Sequence, residues 1–162
     1  MRRALFWILL LLALGGCGEQ QQAGPRPPVP FHDGDECHVC GMLIARFPGP
    51  KGEAWVRGGA RPLKFCSTRE LFGWLLQPDS AALAEAVYVH DMAQNGWQHP
   101  DDTRLVDARK AWYVVGSDLK GAMGPTLASF ARREDAEAFA GRHGGRIIRY
   151  QDITLDLLVN LE

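Results

Sequence analysis

Two stretches of this chain repeat one order of hydrophobic patterns, and that repeat narrows the fold more than any other feature of the sequence. In the first stretch Glu53 to Arg57 reads as a strand, Gly58-Gly59 as a turn, and Arg61 to Cys66 as a second strand carrying Phe65 at its end. Ser67-Thr68-Arg69-Glu70 is a capping-box pattern, and Leu71, Phe72 and Leu75 form an apolar stripe that stops before Pro78. A further strand follows at Val87 to His90. The second stretch reads in the same order: strands at Ala111 to Val115 and Leu127 to Phe130, a helix at Glu134 to Arg142 closed by Gly144-Gly145, and a strand at Arg146 to Tyr150. Phe65 matches Phe130, Trp74 matches Phe139, and Asp91 matches Asp152 after a small slip. The pattern predicts an α+β fold of two similar strand-strand-helix-strand units, halves over 36–108 and 109–162, with an internal duplication as its origin. Ile153 to Leu161 reads as a terminal helix, and the polar run Gln94 to Arg109 as the connection between halves.

The N-terminus belongs to export rather than to the fold. Met1-Arg2-Arg3 is a positive n-region, and Ala4 to Leu14 is an apolar run too short to span a bilayer. It ends in Leu14-Gly15-Gly16-Cys17, which reads as a lipobox: small residues for the protease and a thiol that takes diacylglycerol. Residues 1–16 are then a lipoprotein signal peptide and Cys17 is the lipidated first residue of a mature chain of 146 residues out of 162. Residues 17–35, with Gln20 to Gln22 and Pro25, Pro27, Pro28 and Pro30, read as a stiff polar tether. This places the protein on the periplasmic face of a membrane, held through its lipid. Gly18 after the cysteine, in place of Asp, favours the outer membrane over the inner.

Composition excludes some partners. Hydrophobic residues make up 46% and charged residues 23%, which rules out wholesale disorder and a multi-span membrane protein. Lys and Arg number 18 against 19 Asp and Glu, so no basic field exists to recruit nucleic acid. A monomer is expected.

The chemistry is carried by sulfur on turns. Cys37-His38-Val39-Cys40-Gly41-Met42 gathers two thiols that a turn at Gly41 can bring onto one ion, with a thioether beside them. Met123, in Lys120-Gly121-Ala122-Met123-Gly124-Pro125, sits on a loop where no helix or strand pattern asks for it. Thiolate plus thioether is the set preferred by Cu(I), which accepts two or three soft ligands, whereas zinc asks for four. Duller readings stand beside this one: Cys37 and Cys40 pair as a disulfide, Cys66 is a small buried hydrophobe at a strand end, and Met42 is packing filler. No GxSxG, Walker loop, HExxH or GxGxxG is present.

Over Cys37 to Ile148 the chain resembles the NosL family. The likeness rests on Cys40-Gly41-Met42, Gly49-Pro50-Lys51-Gly52, Tyr88-Val89-His90-Asp91-Met92, Trp112 to Asp118 with Met123-Gly124, and Glu134 to Gly145. The resemblance implies a copper chaperone, not an enzyme, that carries one Cu(I) to nitrous oxide reductase or its membrane assembly complex for the copper-sulfide centre. It also implies a fold similar to part of the mercury lyase fold. By position it names Cys40 and Met123 as first ligands, Met42 next and Cys37 after it. Two rival classes remain at this stage: a thiol-disulfide or mercury-lyase-like thiol enzyme, and a YHS/TRASH-like metal sensor, whose CGM…FCS…F pattern Cys40 to Met42, Phe65 to Ser67 and Phe72 resemble. The turn-forming run Phe47-Pro48-Gly49-Pro50 after the motif speaks against redox work, and Glu70 stands where the sensor modules carry a further cysteine.

Overall fold

The computed structural model describes residues 24–161, so the signal segment and Cys17 lie outside the described residues. Strands β1 (Gly52–Val56), β2 (Leu63–Phe65), β3 (Ala84–His90) and β4 (Leu105–Asp107) form one antiparallel sheet in the order β2-β1-β3-β4. A second antiparallel sheet contains β5 (Trp112–Val115), β8 (Ala128–Phe130) and β9 (Arg146–Arg149), in the order β8-β5-β9. In each sheet the first strand of the half lies between the two that follow it. Between β5 and β8 a small hairpin of β6 (Lys120–Gly121) and β7 (Gly124–Pro125) projects, with Ala122-Met123 at its tip. Helices α1 (Thr68–Leu75), α2 (Pro78–Leu83), α3 (Arg133–His143) and α4 (Leu155–Val159) complete an α+β fold.

The local signals explain most of these boundaries. Ser67 caps α1 by accepting the Glu70 N–H at 3.2 Å. Gly144, at φ 71°, closes α3 with its N–H on the Ala140 carbonyl at 2.8 Å. The polar connection between halves contains β4, which pairs His90 with Leu105 and Val89 with Val106. Three residues are too few to show a period of two, and only the free edge of β3 makes them a strand. The expected terminal helix, Ile153 to Leu161, is shortened to α4, because Thr154 takes the cap position and accepts the Leu157 N–H at 3.1 Å, and a 3-10 turn, Tyr150–Asp152, stands before it where the strand was expected to end.

Helix α1 is the shared centre of the core. Its Leu71, Phe72 and Leu75 pack in one cluster with Ala54, Phe65, Val87 and Val89 of the first sheet and Tyr113, Val115 and Ile148 of the second. Phe72 meets Tyr113 edge to face at 5.3 Å. Alternation along β5 turns Val114 the other way, into a second cluster with Phe130 and with Ala136 and Phe139 of α3. Gly52 leaves no room for a side chain: a Cβ there would lie 2.5 Å from Leu71 Cδ2. A buried Thr68 hydroxyl ties the halves, donating to the Leu127 carbonyl at 2.6 Å and accepting the Leu127 N–H at 3.2 Å.

The outer face of the first sheet is covered by the described part of the Pro-rich segment. Trp55 Nε1 donates to the Pro27 carbonyl, the Tyr88 hydroxyl to that of Arg26, and the Lys64 ammonium to that of Pro30. The Arg26 guanidinium lies 4.4 Å above the Trp55 ring. Prolines pre-set the extended backbone that leaves these carbonyls turned toward the sheet's donors. The stretch from 24 to 31 is therefore a strap on the domain. Among the described residues no helix is long and apolar enough to cross a membrane.

Candidate metal centre

The knuckle from Cys37 to Met42 is built by its own backbone. Gly41, at φ 71°, sends its N–H back to the Cys37 carbonyl at 2.8 Å, and the Cys37 N–H meets the Met42 carbonyl at 2.9 Å. The His38 N–H binds the Lys64 carbonyl at 2.8 Å, which hooks the knuckle over β2. Directly after β2, between its last residue Phe65 and the α1 cap Ser67, the chain carries Cys66. The result is a trio: the sulfurs of Cys37, Cys40 and Cys66 all lie within 4.8 Å of one another, and those of Cys40 and Cys66 are 3.7 Å apart. Metal-thiolate bonds of about 2.3 Å set sulfurs about 4 Å apart around a single ion. The spacing fits.

The three thiols are free, and they are not equivalent. Cys37 and Cys66 are buried beside Phe31 and Ile44, while Cys40 opens to solvent. The Cys66 thiol, together with backbone N–H groups of Cys40, Cys66 and Val39, stabilises a thiolate at Cys37 and pulls it down to about 4 against the cost of burial. The same hydrogen bond and burial push Cys66 up, so its proton is the last to leave. A buried ammonium stands behind the trio: Lys51 donates to the carbonyls of Phe47, Pro48 and Gly49, with the last two at 3.0 and 2.9 Å. Burial lowers it to about 8, while the carboxylate of Asp102 opposes that shift. Its loop is further held by the Lys51 N–H on Nδ1 of His90, an imidazole that burial keeps neutral.

Three soft donors around one point, one of them exposed, suit a thiophilic monovalent ion with an open side. Among the described residues no long helix starts at the CxxC.

The sequence model of the family NosL matches residues 28–158. The copper-binding lipoprotein NosL of Stutzerimonas stutzeri is 54% identical over 155 residues, which span 95% of this chain and 80% of that protein. The chain belongs to the NosL family. Its namesake from Achromobacter cycloclastes is 35% identical, again over 95% of this chain and 82% of its own. Among solved structures, the crystal structure of the copper chaperone NosL from Shewanella denitrificans superposes with a TM-score of 0.79 at 45% identity, covering 82% of this chain and 98% of that one. The solution structure of apo-NosL from Achromobacter cycloclastes gives a TM-score of 0.51 at 34% identity, covering 67% and 88%.

Against this family background, the candidate ligands divide by position. Cys37 and Cys40 stand together in the trio. Met42 is half-buried against the trio's apolar neighbours, with Leu105 and Ala122. Met123 is 51% exposed at the tip of the β6–β7 hairpin, and the residue before it, Ala122, packs against the cluster that holds Cys37 and Cys66. The second half thus reaches the first at this hairpin. Cys66 is the donor that residue-by-residue reading undervalued. It is buried, as a small hydrophobe would be, yet it completes the trio. Its signal in the sequence was position, one residue beyond a strand and one before a helix cap, where a side chain points off the end of a sheet.

Proposed function

We propose that the protein is a lipid-anchored copper chaperone that carries one Cu(I) on these sulfurs and delivers it for the copper-sulfide centre of nitrous oxide reductase. The observation that carries the reading is the thiol trio with one exposed member: buried sulfurs retain the ion, and the exposed Cys40 is where an acceptor's ligand begins exchange. Met123, exposed on the neighbouring hairpin, closes the site from the second half as a labile thioether, and Met42 lines its wall. The names borne by the relatives, copper-binding lipoprotein and copper chaperone, support the cargo and the anchor at Cys17. The family resemblance supports the reductase or its assembly complex as acceptor, a periplasmic location, and a role without catalysis. The export signal supports a periplasm-facing anchor, and Gly18 supports the outer membrane.

Anaerobic titration of the reduced protein against a chromogenic Cu(I) chelator tests the reading. One equivalent is expected per chain, and the double variant Cys40→Ser/Met123→Leu is expected to lose at least about a hundredfold in affinity, the upper end of what losing a mere supporting partner of a ligand costs. A double variant that still binds at wild-type strength overturns it.

A further inference from the structure

The start of the strap, at Arg26, and the metal site lie at opposite ends of the first sheet. At one end Gly52 pairs with Phe65, and Cys66 follows. At the other, Val56 runs into the Gly58-Gly59 turn, and there Arg26 is fastened: its guanidinium donates to the carbonyls of Gly59 at 2.5 Å and Val56 at 2.7 Å, and pairs with Glu85 at 2.7 Å. Four residue steps of β1, about 13 Å, separate the two ends. Gly24, the first described residue, stands two residues before this fastening, and Cys17 is seven residues earlier in the sequence. Seven residues span at most about 25 Å even when fully extended.

Unpaired basic charge gathers at the turn end of this axis. Around the fastening of Arg26 stand Arg57 and Arg61 on the turn and Arg109 beside the start of β3, its guanidinium on the carbonyls of Ala84 and Glu85. None of the three has an acidic partner among the described residues, whereas Arg26 and Lys110 are paired with Glu85 and Asp107. Leu83, 45% exposed, lies beside them. Around the cysteine end the charges are mixed: Asp33, Glu36, Asp101 and Asp102, the last reaching to within 3.6 Å of His90, stand with Arg69 on α1 and Lys120 on the hairpin.

We infer that the strap end, with Arg57, Arg61, Arg109, Lys110 and Leu83, is the surface on which the domain rests against anionic phospholipid headgroups of the leaflet holding its anchor, so that the cysteine trio faces away from the membrane. The inference rests on the lipid anchor at Cys17 proposed above. A short leash that ends on a fixed point limits which face can meet the bilayer, and headgroup phosphates attract the unpaired basic groups around that point. The orientation leaves Cys40 and Met123 open to a soluble or membrane-borne acceptor approaching from the periplasm.

The mature lipidated protein in nanodiscs of phosphatidylglycerol and phosphatidylethanolamine, with a paramagnetic chelate on the headgroups, tests this by relaxation of amide and methyl resonances. Relaxation is expected at residues 57–61, 83–85 and 109–110 and is expected to be absent at Val39 and Ala122. A flat profile, or one strongest at the cysteine end, overturns the inference. In the variant R57E/R109E/K110E the profile is expected to flatten; an unchanged profile overturns the role given to these charges. Beside Arg26 and Lys110 opens a cleft of about 850 Å³. Contacts from residues 18–23 into that cleft, without headgroup relaxation, also overturn the inference, because the chain itself then occupies the surface. Intact mass separates the two proposals. No diacylglycerol on Cys17 overturns the anchor and this inference together, while a lipidated protein with a flat profile overturns the orientation alone.

Discussion

Gly145 shows how much a single backbone position decides. It follows the α3 cap at φ 94°, and a Cβ there would stand 2.6 Å from the Val115 carbonyl and 2.9 Å from Val114 Cγ1. The contact is with backbone, which has nowhere to retreat, so Gly145→Ala is expected to destabilise the fold by on the order of 2–3 kcal/mol in urea unfolding. Gly141, on the exposed side of α3, has nothing within 4 Å of its absent Cβ. There the same substitution is expected to stabilise by about 0.5–1 kcal/mol, since it only removes unfolded-state freedom. Two glycines four residues apart therefore respond with opposite signs. The cysteines obey a similar logic: CxxC placed two donors by its own turn, but only the strand end beneath it supplied the third.

At the scale of an element, the strap from 24 to 31 turns a solvent face into a second interior. Glu53 points to that face from β1 and is buried, with one carboxylate oxygen on the Val29 N–H at 2.9 Å and the other without a partner. Burial raises it from 4.5 to about 7, opposed by the Val29 N–H and by Lys64. Between those two values the folded state holds a proton that the unfolded chain has released, so this group's contribution to stability falls as pH rises through the window. From about pH 5 to about pH 8.5 the wild type is expected to lose on the order of 2–3 kcal/mol relative to Glu53→Gln, which cannot titrate. Denaturant unfolding of both proteins at the two pH values measures it. A constant difference between them would mean that the strap leaves Glu53 in water. Shortening the chain to begin after Pro30 is expected to remove the effect, because the cover goes with it.

For the whole molecule, the two sheets share α1 and cannot unfold apart. Phe72 contacts Tyr113 and Tyr150 of the second half from a helix of the first, and Phe72→Ala is expected to cost about 3–5 kcal/mol. Unfolding followed by near-ultraviolet dichroism and by an amide of β9 is expected to give coincident transitions, in wild type and variant alike; separate transitions would show two independent lobes. What the chain's order of residues determined by itself is what local chemistry can decide: the order of strands and helices, the Ser67 cap on α1, the glycine stop of α3, and the turn that gathers Cys37 and Cys40. Those features depend on neighbours a few positions apart. The short strand β4, the strap's place on the first sheet, the burial of Glu53 and the entry of Cys66 into the thiol trio were decided only by tertiary contact. Each depends on groups 15 or more residues away, as in His90 with Leu105 and Cys40 with Cys66, and no periodicity within a segment records which distant edge, face or sulfur will be brought against it.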